Sequence, residues 1–236
     1  GHDDDDDTPF DDDQMEQLDD QLAAIFQQHS SSRRKEREAL QRDTALFHNK
    51  ILDLLEIYAK EQSANVLAVR LVAPLFALAR GSGDVSPQVA TRASHILRSR
   101  LCRAKEVPHG ALDVAQIVDE LGATHAFVRA TQDPPMADLA NAVSLYYTKV
   151  LLRNGHTDEP AAVYGETLRD FLRRKASPVR PAFLLEGVRL FPELGWALRA
   201  ALLDGARLSY AVHAFRQMQA LTMLQAVLQQ QQHADS

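Results

Sequence analysis

The sequence predicts an all-α fold, an irregular armadillo- or HEAT-like array of about ten helices, on three observations. Apolar residues recur at threes and fours along most of the chain, the spacing of one helix face. No run alternates apolar and polar residues with β-branched enrichment, so no strand is expected. Proline and glycine signals cut the chain into helix-length pieces joined by loops of about 2–8 residues, which implies antiparallel neighbours stacked in pairs. No internal sequence repeat is visible, so any repeats are irregular.

Taken in order, residues 1–11 form an acidic tail expected to be disordered, with Gly1-His2 reading as a cloning remnant. Residues 12–236 are expected to form a single helical domain. Met15, Leu18, Leu22, Ile25 and Phe26 place a short amphipathic helix at about 12–28, and His29 with three serines then forms a flexible joint. A long helix over 33–61, about 44 Å, is capped by Ser32 or a neighbouring serine. It carries Leu40, Phe47, Ile51, Leu54, Leu55 and Tyr58 as a core-seeking stripe behind a basic front.

Asn65 can cap the next helix, which Pro74 should kink or break near Val72, and Gly81-Ser82-Gly83 ends it. Ser86-Pro87 opens a helix to about Ala104, and Leu112 to about Arg129 forms another. Met136 to Arg153 is stopped by Asn154-Gly155. A helix from Thr157 or Asp158 to about Lys175 follows, then one over Phe183 to Phe191 and a short piece around Leu194 to Leu203. Asp204-Gly205 reads as the last turn, and a final helix runs from Ala206 into the glutamines.

A net charge of -6 over 236 residues conceals two opposed parts. Residues 1–28 hold eleven acidic residues and no Lys or Arg; the remainder holds 26 basic against 21 acidic residues, a body charge of +5. The acidic tail is either a solubilising linker or a contact for basic partners that competes with nucleic acid for the body's own cations. With one cysteine, Cys102, no disulfide can close within the chain, which favours a reducing, intracellular setting. No apolar run reaches the roughly 18 residues of a membrane span.

Little points to bond-making chemistry. The histidines are scattered, without HExxH, CxxC or another metal-ligand spacing, and His48 and His95 read as surface or half-buried helix residues. No glycine-rich phosphate loop or nucleophile elbow is present, so no catalytic residue, metal or cofactor is expected. Three basic clusters remain as nucleic-acid-binding candidates: Arg33, Arg34, Lys35, Arg37 and Arg42; Arg98, Arg100 and Arg103; Arg173, Arg174 and Lys175. Phosphate binding needs several cations on one surface, so these clusters matter only where they converge.

An aspartate run followed by Met15, Leu18, Asp19, Leu22 and Phe26, then a basic helix with Ile51 to Glu56 and a later Pro74-Leu75, resembles the DNA polymerase phi family. This family comprises the DNA polymerase V proteins of yeasts and Myb-binding protein 1A of vertebrates. The resemblance covers about residues 3–80. It implies a non-enzymatic module of a nuclear, nucleolar factor in large-subunit ribosome assembly, a scaffold binding pre-rRNA together with assembly factors or ribosomal proteins. The Lys-rich tail of the family pattern is missing. Tyr164-Gly165-Glu166-Thr167 is similar to the YGDTD signature of B-type polymerases. Here Leu168 stands where the second aspartate would be, and helical spacing puts it on a buried face. A transcription co-regulator module docking activator peptides in an apolar groove is the alternative reading, and a polymerase ranks last.

Overall fold

The computed structural model describes residues 12–81, 85–207 and 210–234. The acidic run at 1–11 and the expected helix-ending residues Ser82 and Gly83 lie outside them. Among the described residues the secondary structure is entirely helical, and the chain divides into two compact units, 1–50 and 51–236.

Helix α1 runs unbroken from Asp12 to Glu61. The expected joint at residues 29–32 is therefore helix, and the serines neither cap nor bend it. Ser31 Oγ donates back to the Gln28 carbonyl (2.9 Å), and Ser32 Oγ donates to the Glu36 carboxylate (3.2 Å). Serine hydroxyls in mid-helix can turn to such local partners instead of opening the backbone. The core-seeking stripe is also corrected. Leu40, Phe47, Ile51 and Leu54 are exposed, and the side chains that bury are Leu52 and Ala59, with Leu55 and Tyr58 packed partly against the core.

In the second unit, the end of α1 is tied by charge: Arg92 pairs with Asp53 and lies 3.7 Å from Glu56, and Glu56 also accepts from Arg100 at 3.0 Å. Asn65 caps α2 (Val66–Arg70) through the Leu67 N–H (2.9 Å), and the break at Leu71 before α3 (Val72–Ala79) falls where Pro74 requires it. Ser86 caps α4 (Pro87–Ile96), with proline at its first position. The helix then widens into a π-helical turn, Leu97–Leu101, closed by the Cys102 N–H on the Leu97 carbonyl (2.8 Å).

Asp113 caps α5 (Val114–Val128) and Asp133 caps α6 (Pro134–Arg153). Asn154-Gly155 stops α6 as expected. Gly155 sits at φ 84, and the His156 N–H reaches back to the Leu151 carbonyl (3.0 Å), a helix end that favours glycine. Then come α7 (Asp158–Arg173), α8 (Pro181–Leu190), α9 (Pro192–Ala206) and α10 (Ala214–Ala234).

Two expectations fail at this end. The short piece at 194–203 is a full helix of 15 residues, and Asp204-Gly205 is not a turn but its last stretch. A Cβ on Gly205 would come within 2.6 Å of Leu172 Cδ1 and 3.2 Å of the Ala220 Cβ. The glycine is there for close approach of α9 to α7 and α10, not for a bend. The last helix accordingly begins at Ala214 rather than Ala206.

Neighbouring helices pair: α3 packs on α4, α5 on α6, and α9 on α10, while α7 links α5 to α9 and α8 lies on α9 and α10. The result is an array of helix pairs around one continuous apolar core, from Val72 and Leu75 through Leu139, Tyr147 and Phe171 to Leu202 and Val227. Each pair buries its apolar stripe against the next.

Candidate nucleic-acid interface

Three elements converge on a groove of about 900 Å³: the π-helical turn, one face of α6, and the corner where α8 meets α9. The turn and the residues just after it supply Arg98, Cys102 and Arg103; α6 supplies Tyr146, Lys149 and Arg153; the corner supplies Leu190, Phe191 and Glu193. The π-helical turn makes this possible. On an ordinary helix, residues five apart diverge by roughly 140°. The wider turn brings Arg98 and Arg103 onto the same wall.

Four cations therefore face one carboxylate, Glu193. Arg98 is steadied by the Pro135 carbonyl (3.0 Å), and Lys149 Nζ donates to the carbonyls of Ala104 (2.7 Å) and Lys105 (2.9 Å). Burial, with the neighbouring charge of Arg153 second, holds the Lys149 ammonium below its usual range. An added anion relieves such crowding of like charges. The Cys102 thiol is pushed up to about 12 by burial, against the opposing pull of Arg98, so it stays protonated and unreactive.

The sequence candidates divide. Of the second cluster, Arg98 and Arg103 line the groove, whereas Arg100 is engaged by Glu56. In the third, Arg173 stacks over the Tyr210 ring (5.4 Å to the centroid), Arg174 Nε pairs with Asp170 (3.1 Å), and Lys175 is exposed. Arg33, Arg34, Lys35, Arg37 and Arg42 are all exposed on α1, where Arg34 pairs with Glu38 (2.9 Å) and Arg42 donates to the Glu38 carbonyl (3.2 Å). Lys149 and Arg153 escaped the sequence reading. Their spacing of four on one helix was visible, but not that α6 lies opposite the turn after α4.

The polymerase-like string is ordinary helix. Tyr164 and Leu168 are buried in α7, and the exposed Glu166 lies 3.9 Å from Arg129. Beside it is a buried polar cluster that the sequence concealed. His125 meets Thr167 Oγ1 through Nδ1 and Ser144 Oγ through Nε2, each at 2.8 Å, and Ser144 meets the Tyr164 hydroxyl at 3.0 Å. Arg129 Nη1 also donates to Thr167 Oγ1 (2.9 Å), so the threonine hydroxyl bridges the guanidinium and the imidazole. Every member is partnered within the core, so this cluster is structural.

A stack of helix pairs around one apolar core, with a cationic groove on its surface, defines a helical-repeat module. Comparison with known proteins gives the family. Residues 62–236 match the family model described as Myb-binding protein 1A-like, TPR repeats, and residues 1–59 match that of DNA polymerase phi. The chain belongs to the Myb-binding protein 1A-like family. It is 30% identical over 134 residues to human Myb-binding protein 1A, a stretch covering 50% of this chain and 10% of that protein, so the chain corresponds to a small part of that relative's length. No solved structure matches. The junction between the two family matches falls at the end of α1.

Proposed function

We propose that this chain is a non-enzymatic scaffold module of a nuclear, nucleolar ribosome-assembly factor that binds pre-rRNA and proteins of the assembling large subunit. The observation that carries the reading is the convergence of Arg98, Arg103, Lys149 and Arg153 on one groove, because phosphate binding requires cations on a shared surface. The exposed basic front of α1 adds a second cationic surface, and the membership in the Myb-binding protein 1A-like family agrees with the resemblance from which the ribosomal role is drawn. Crosslinking the protein to RNA in cells and sequencing what is attached tests it. Enrichment of pre-rRNA is the expected result; recovery of no RNA above background would remove the role.

A second reading, a transcription co-regulator module, is favoured by the human relative's name and by α10. That helix leaves Phe215, Met218, Leu221 and Leu228 exposed at threes and sevens, an apolar stripe suited to a partner helix. A pull-down dominated by transcription factors and insensitive to nuclease would support it over the first.

A further inference from the structure

The groove carries more than charge. Its α6 side also presents Leu145 and Leu152, and its far side presents Phe191 and Leu190, the last 59% exposed. A double helix holds its phosphates on a convex rod and stacks its bases inside, so it would meet the cations and leave the apolar wall against water. A single strand offers phosphates along one edge and unstacked base faces along the other, which suits cations beside an aromatic and aliphatic wall. We infer that the groove is a channel for single-stranded RNA, with backbone phosphates on Arg98, Arg103 and Arg153 and an unstacked base against Phe191 and Leu190.

Lys149 is already committed to two carbonyls and serves as fixed positive potential, not as a direct ligand. Arg103 and Arg153 make no hydrogen bond or ion pair among the described residues, so their guanidinium forks are open to phosphate oxygens. Glu193, on the α9 side, repels the backbone and keeps the phosphates toward the arginines. At about 900 Å³ the groove lies near the top of the roughly 300–1,000 Å³ range of ligand pockets, room for a short run of nucleotides and not for a duplex. The inference rests on the pre-rRNA reading above and names the form of RNA that this site takes.

Fluorescence anisotropy on the 236-residue chain tests it, with a labelled oligouridylate of about twelve nucleotides and an RNA hairpin whose paired stem carries as many phosphates. The oligouridylate should bind more tightly than the hairpin. Charge reversal at two sites, Arg103→Glu with Arg153→Glu, should lower the slope of log affinity against log salt by about 1.4, two single-strand contacts at about 0.7 each. Leu190→Asp, at an exposed position, should weaken oligouridylate binding at least about fivefold with circular dichroism unchanged. Equal or tighter hairpin binding that ignores the arginine reversals overturns the channel while leaving RNA binding to another surface. Binding of neither RNA overturns both readings. Displacement of the oligouridylate by polyglutamate at lower charge concentration would make the groove an acidic-peptide site and overturn the inference.

Discussion

Arg216, two residues into α10, donates its Nη1 to the carbonyl of Phe171 near the end of α7, and its guanidinium carbon lies 4.9 Å from the Phe171 ring centre. The same Nη1 reaches the Arg174 carbonyl at 2.8 Å, and Nη2 reaches that of Lys175 at 3.3 Å. One planar fork thus satisfies several carbonyls that α7 leaves open at its end, and does so while 9% exposed. Removing it should leave those carbonyls buried without donors. Arg216→Ala is expected to destabilise the chain by roughly 2–4 kcal/mol. Arg216→Lys should recover less than half, since a compact ammonium cannot span the same set. Urea unfolding of the three proteins measures both.

His125 sets a pH dependence. Burial first, and the charge of Arg129 second, lower its pKa to about 3 from the ordinary 6.5. The folded state therefore holds the ring neutral where the unfolded chain protonates it. Stability from this residue is fully present above pH 6.5 and is lost as pH falls toward the folded value. By pH 5 the loss is about 2 kcal/mol. In His125→Gln the starting stability is lower, because the contacts to Thr167 and Ser144 are disturbed, but the fall between pH 7 and pH 5 should shrink by about that amount. Denaturant curves at pH 7, 6 and 5 decide it; parallel pH profiles for the two proteins would refute it.

Two adjacent tyrosines should respond oppositely to the same change. The Tyr146 hydroxyl is buried beside the groove with no hydrogen-bond partner, whereas Tyr147, equally buried, donates to the Glu120 carboxylate. Burial and that bond both raise the Tyr147 pKa, so it stays a donor. Tyr146→Phe removes a hydroxyl that contributes no bond, and stability should hold or rise by up to about 1 kcal/mol. Tyr147→Phe leaves Glu120 facing an apolar edge and should cost about 1–3 kcal/mol. Thermal melts of the two variants side by side give the comparison.

Most helix ends were legible because their signals are local. Asn65, the Ser86-Pro87 pair and Asn154-Gly155 act through their own side chains or backbone, and each does in the structure what its residue type requires. The serines at 30–32 misled because a hydroxyl that caps one helix can bond within another, and only the surrounding helix formers decide between them. The groove was half legible. Arg98 and Arg103 stood out as charge, but their alignment depends on a π-helical turn and their completion on Lys149 and Arg153 from a separate helix. Pairings of that kind have no signature in a single sequence. Arg216 and His125 were hidden for the same reason: their partners lie 39 to 45 and 19 to 42 residues away.

Gly205 offers the sharpest test of packing against turn chemistry. Were it a turn residue, alanine would be penalised through the backbone, and the cost would track a left-handed conformation. It is instead helical, so alanine is intrinsically favoured there by about 1 kcal/mol. Against that stands a Cβ placed 2.6 Å from the buried Leu172 side chain and 3.2 Å from that of Ala220. Leu172 is 1% exposed and has no open side to retreat to, so α9 must shift off α7 and α10. Gly205→Ala should therefore lose about 1–3 kcal/mol in spite of its helix propensity. Gly122 is the control. It is helical too, in α5, but a Cβ there meets nothing within 4 Å, and Gly122→Ala should gain up to about 1 kcal/mol. Opposite signs in matched unfolding curves would establish that close helix approach holds this end of the array together; a gain at both positions would show that α9 can move away without loss.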